Sequence, residues 1–115
     1  MLFIGYPKCT TSQKAKKWLD DNGIKYIERD IKEDNPTYNE IKEWYKKSGL
    51  PLRRFFNTSG LLYKSMGLRE KIVNISEEEQ LRLLSTDGML IKRPIVVNGD
   101  TVLVGFKPGD WEKLK

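Results

Sequence analysis

One cysteine, Cys9, stands in the run Gly5-Tyr6-Pro7-Lys8-Cys9-Thr10-Thr11-Ser12, and no histidine accompanies it anywhere in the 115 residues. The sulfur falls between an apolar triplet, Leu2-Phe3-Ile4, and the start of a helical pattern. A free cysteine is often only a small buried hydrophobe. Its neighbours here are proline, lysine and threonines, from which a fully buried site is hard to build. At a helix start, unpaired backbone N–H groups and the positive end of the helix dipole favour a thiolate over a thiol. Lys8 adds a positive charge, and Ser12, one turn along, can offer its hydroxyl to the sulfur. Thr10 and Thr11 complete the candidate thiol-binding turn.

Ser12 occupies the position at which a dithiol oxidoreductase carries its second cysteine, so Cys9-Thr10-Thr11-Ser12 is a monothiol C-x-x-S arrangement. Such a sulfur can attack a disulfide or an oxidised substrate, but an external thiol must release the product. The plainer reading of Ser12 is a helix-capping serine. A zinc site lacks ligands in a chain with one cysteine and no histidine.

The elements that must position Cys9 follow from periodicity. Leu2-Phe3-Ile4 reads as a short buried strand. A helix is predicted from about Thr10 to Asn22, with Ala15, Trp18 and Leu19 on one face and Gly23 as the left-handed stop. Tyr26 to Ile31 reads as a second strand, so the chain opens as a βαβ unit with a parallel pair. Asn35-Pro36 is predicted to cap a helix carrying Tyr38, Ile41, Trp44 and Tyr45, ended by Gly49. Leu52 to Phe56 reads as a helical turn, Asn57 to Gly60 as a loop and Leu61 to Met66 as a short helix closed by Gly67. Ser76-Glu77-Glu78-Glu79 has capping-box spacing and opens a helix with Leu81 and Leu84, broken at Asp87-Gly88. Pro94 to Val97, a turn at Asn98-Gly99, and Thr101 to Val104 form a hairpin, and Trp111 and Leu114 mark a final short helix. The order is β-α-β, helices, β-β-α: an α/β fold of thioredoxin-like or glutaredoxin-like architecture, with a four-stranded mixed sheet. Residues from about 32 to 87 are a helical insert within a single domain spanning 1–115.

Charge and hydropathy narrow the function classes. The formal net charge is +5, but Lys and Arg are scattered beside acids, as on a solvated surface. No recognised nucleic-acid motif accompanies them, so no direct nucleic-acid partner is expected. No apolar run could span a bilayer, and the N-terminal apolar stretch is too short for a signal peptide. A lone thiol fits a reducing compartment, so a cytoplasmic protein, expected to be monomeric, is the reading.

The Cys9-Thr10-Thr11-Ser12 helix start, Lys92-Arg93-Pro94-Ile95-Val96-Val97 and Val104-Gly105-Phe106-Lys107-Pro108 together resemble the arsenate reductase and Spx family. The likeness extends over essentially the whole chain. It implies Cys9 as nucleophile, no bound cofactor, and glutathione, another external thiol or glutaredoxin as the resolving partner. It also implies Arg93 as an anion-binding, thiolate-stabilising residue and Pro94 as a cis-proline facing the thiol. Where the family's enzymes hold an oxyanion with further arginines, this chain has Asn57 and Lys107, with Arg53 and Arg54 nearby. Regulators of the Spx type bind RNA polymerase through the C-terminal domain of its α subunit, so the resemblance carries that partner as an alternative. The two-cysteine switch common in such regulators is absent, because Ser12 replaces the second sulfur.

Overall fold

A computed structural model describes residues 1–115. Four strands, β1 (Leu2–Gly5), β2 (Ile27–Asp30), β3 (Ile95–Asn98) and β4 (Thr101–Val104), form one sheet in the order β2-β1-β3-β4. β1 pairs parallel with β2 and antiparallel with β3, which pairs antiparallel with β4. The mixed four-stranded sheet expected from the sequence is therefore present.

The period-two alternation of the strands divides the core into two layers. Phe3, Val96 and Leu103 face one side, where they pack with Ala15 and Leu19 of α1 (Thr10–Asp21) and with Trp111 of α6 (Pro108–Trp111). Ile4, Ile95, Val102 and Val104 face the other, against Ile41 and Trp44 of α2 (Tyr38–Ser48), Leu84 of α5 (Glu77–Leu84) and the residues between. Trp111 also donates its indole N–H to the Gly105 carbonyl at 3.1 Å, so this large ring enters the core with its polar atom satisfied.

The insert holds more structure than periodicity disclosed. Besides the expected 3-10 turn at Leu52–Phe55 and the expected short helix, α3 (Leu61–Ser65), it contains α4 (Leu68–Lys71) and a 3-10 turn at Ile72–Asn74. Gly67, with φ 63°, both ends α3 and precedes α4.

The first cap of the insert differs from expectation. Thr37, not Asn35, caps α2: its side chain accepts the Glu40 N–H while Glu40 accepts the Thr37 N–H. Asn35 is diverted to a tertiary task, donating to the Ser85 carbonyl at 2.8 Å at the far end of α5. The hairpin turn also lies one residue later than expected. Asn98 pairs with Thr101, leaving Gly99-Asp100 as the two-residue loop, with Gly99 at φ 60°. Glycine at the first loop position suits the right-handed twist of the flanking strands. β2 is shorter by one residue at each end than the sequence implies.

Candidate active site around Cys9

Cys9 is the N-cap residue of α1, with φ −87° and ψ 122°, a position where Ser, Thr, Asn or Asp would ordinarily cap. Its backbone closes a turn, the Cys9 N–H donating to the Tyr6 carbonyl at 2.9 Å. The Gln13 side chain ties that turn down by donating to the Pro7 carbonyl at 2.7 Å. The sulfur is half-buried.

Ser12 lies under the sulfur and is only 4% exposed. Its Oγ accepts the Tyr6 N–H at 3.2 Å, so the hydroxyl proton is free to point elsewhere. Burial pushes the Cys9 thiol up. The Ser12 N–H, the Ser12 hydroxyl, and then the hydrogen bond and charge of Arg93 together outweigh it, and the thiol lies below its ordinary range. Thiolate is the nucleophilic form, so the site favours reaction at lower pH than a free thiol would.

Arg93 reaches the site from the opposite end of the chain. β3 runs antiparallel to β1, with Ile95 opposite Ile4, so the segment before β3 lies beside the segment after β1. The Arg93–Pro94 peptide bond is cis. Pro94 is buried, and its carbonyl accepts the Gly105 N–H at 2.8 Å, which anchors the segment to the end of β4. The guanidinium carbon lies 5.3 Å from the centroid of the Tyr6 ring. Its Nε and Nη1 are buried and have no hydrogen-bond partner within the chain. Buried donors are ordinarily paired, so these two stand out as unmatched.

The remaining candidates separate from this cluster. Lys8, Thr10 and Thr11 are exposed, and Lys8 is not among the groups that displace the thiol. The charge acting on Cys9 is that of Arg93, a partner from the distant strand and not the sequence neighbour. Asn57 is turned back on its own loop, its Oδ1 3.4 Å from the Ser59 hydroxyl, and no hydrogen bond joins it to Cys9, Ser12 or Arg93. Lys107 is exposed and stands as the N-cap residue of α6 with no side-chain hydrogen bond. Sequence reasoning overlooked Tyr6, on whose ring Arg93 rests, and Gln13, which pins Pro7. Their only sequence signal is proximity to Cys9.

Similarity to known proteins agrees with this fold. Over 113 residues the chain is 50% identical to the protein YusI of Bacillus subtilis, covering 98% of this chain and 96% of that one. It is 30% identical to the regulatory protein MgsR of Bacillus subtilis, over 99% of this chain and 89% of that protein. It is 32% identical to an arsenate reductase of Haemophilus influenzae, over 89% of this chain and 87% of that protein. Among solved structures, an ArsC family related protein from Bacteroides fragilis superimposes with a TM-score of 0.97 at 57% identity, covering 99% of this chain and 96% of that one. The ArsC family model matches residues 4–114, a span that takes in Cys9, Arg93, the end of β1 and the other three strands, and the chain belongs to the ArsC family.

Proposed function

We propose that the protein is a monothiol oxidoreductase that uses the Cys9 thiolate to reduce a disulfide or an oxyanion substrate, with an external thiol completing the cycle. With a disulfide, Cys9 Sγ attacks one sulfur, a Cys9–substrate S–S bond forms, and the other half leaves as a thiolate. A second thiolate, from glutathione or a glutaredoxin, then attacks the mixed disulfide and releases the substrate half. Ser12 and Arg93 stabilise the attacking thiolate, and the free N–H groups of Arg93 receive the anionic group of the substrate. Such a cycle needs a reducing environment, in keeping with a cytoplasmic monomer.

The observation that carries this reading is a half-buried thiol held below its ordinary range, beside an arginine with two unpartnered buried donors. Turnover is measured with glutathione as donor and either a low-molecular-weight disulfide or arsenate as acceptor. Activity that vanishes in Cys9→Ser supports the reading; activity retained in that variant refutes it.

A second reading comes from the relative named as a regulatory protein. In it the chain binds the C-terminal domain of the RNA polymerase α subunit and performs no chemistry. Capture of that purified domain by both wild type and Cys9→Ser is the expected result, and no capture by either removes it.

A further inference from the structure

A second cluster of positive charge lies beyond the Cys9 site. Arg53, Arg54 and Lys92 line one cavity of about 280 Å³ together with Phe56, Thr58 and Tyr63, and no acidic residue borders it. The cations that form ion pairs are others: Lys16, Lys17, Arg29, Lys47, Arg82 and Lys115. The three around the cavity have no carboxylate partner and repel one another. Phe56 and Tyr63, 2% and 9% exposed, give the cavity an apolar wall. A concave site with an apolar wall, a hydroxyl and three unneutralised cations has the form of a receptor for a small carboxylate-bearing molecule.

Its position relates it to the thiol. The Lys92 N–H donates to the Phe55 carbonyl at 2.7 Å and the Asn57 N–H to the Leu90 carbonyl at 2.7 Å, around a bridge between Phe56 and Ile91. This pairing fixes the Arg53-Arg54 turn against the strand segment that continues directly into Arg93-Pro94. The Lys92 side chain extends over Gly105, its Cε 3.5 Å from where a Cβ on that glycine would lie. Gly105 follows β4 and Cys9 follows the end of β1, with β3 between them. Two inter-strand spacings separate the ends of β1 and β4 by about 10 Å. A peptide-sized ligand spans a distance of that order.

We infer that the Arg53–Arg54–Lys92 cavity binds the carboxylate arm of the anionic peptide thiol or disulfide that reacts at Cys9. The inference rests on the thiol-exchange reading of Cys9, but binding and chemistry are separable. In the exchange step the Cys9 thiolate attacks a disulfide sulfur and the S–S bond breaks. One half joins Cys9 and the other departs as a thiolate carrying the electron pair. The cavity adds no chemistry; it selects disulfides that bear carboxylates.

Two measurements test it. In an NMR titration with S-methylglutathione, which has both carboxylates and no reactive thiol, saturable shifts are expected at the Thr58, Tyr63 and Lys92 amides. Affinity should fall about five-fold in Arg54→Gln and again in Lys92→Gln, the factor for one unit charge at contact distance in a water-like dielectric, and should weaken with salt. Absence of saturable shifts there overturns the inference. The second measurement compares rates of Cys9 modification by oxidised glutathione and by the neutral hydroxyethyl disulfide. The anionic-to-neutral rate ratio should fall about five-fold in each variant, and an unchanged ratio also overturns it. If Cys9 reacts with neither disulfide, the oxidoreductase reading fails while the titration still decides the cavity. All three cations are exposed, so the substitutions leave the fold intact.

Discussion

Replacing Ser12 by alanine should damage both stability and the thiol, and the two effects can be read apart. The Ser12 Oγ accepts the Tyr6 N–H at 3.2 Å in a partly buried position, and alanine leaves that donor without a partner. An unsatisfied buried N–H costs about 1–2 kcal/mol. For a chain of 115 residues this lowers Tm by about 3–8 °C. The same substitution removes one of the groups that hold the Cys9 thiol down and leaves the opposing effect of burial in place. The pH profile of Cys9 alkylation should therefore move to higher pH. At neutral pH the rate should drop about three- to ten-fold, a charge-assisted hydrogen bond discounted for partial exposure. At high pH, where both proteins are fully thiolate, the rates should converge. The assay is pseudo-first-order alkylation with iodoacetamide across the pH range, alongside thermal unfolding. A lowered Tm with an unchanged alkylation profile would leave Ser12 as a structural clamp and refute its role at the sulfur. No change in either would refute both roles.

Two predictions concern the scaffold. Glu40 takes both terminal nitrogens of Arg29, at 2.7 and 3.0 Å, and this pairing, against the opposing effect of burial, holds its carboxyl down to about 2. A carboxyl lowered on folding adds stability above its unfolded pKa of about 4.3 and loses it as pH falls through the folded value. Glu40→Gln should thus cost about 2 kcal/mol at pH 7, a penalty that shrinks between about pH 4 and pH 2, measured by urea unfolding at each pH. Trp111 is 1% exposed and makes edge contacts with Phe3, Trp18 and Phe106, so Trp111→Ala should destabilise the fold by about 3–5 kcal/mol in chemical denaturation.

The parts of the molecule legible from the sequence are those governed by short-range rules. A helix starting at Thr10 with Cys9 at its mouth, the apolar face of Ala15 and Leu19, the left-handed glycines and the hairpin of β3 and β4 all follow from spacing within about a dozen residues. The proximity of Ser12 to Cys9 belongs to the same class, since three residues make one helical turn. Even here competing local options shifted boundaries: Thr37 displaced Asn35 as a cap because Asn35 had a partner at Ser85, a residue no local rule could supply. The helix α4 went unread because it is too short to show a period.

What the tertiary structure alone decided is which distant groups face the sulfur. Family resemblance named Arg93 as a partner of Cys9; local physics could not, because the contact exists only where β1 and β3 lie antiparallel. The same packing left Lys8 in solvent, turned Asn57 onto its own loop and set Tyr6 beneath the guanidinium. It also gathered Arg53, Arg54 and Lys92 around one cavity, although spacing along the chain separates the pair from the lysine. Local propensity depends on a few neighbouring residues, whereas burial, the pairing of charges and the displacement of a thiol depend on every element that closes around them. The sequence alone therefore singled out Cys9, and the fold determined its electrostatic environment.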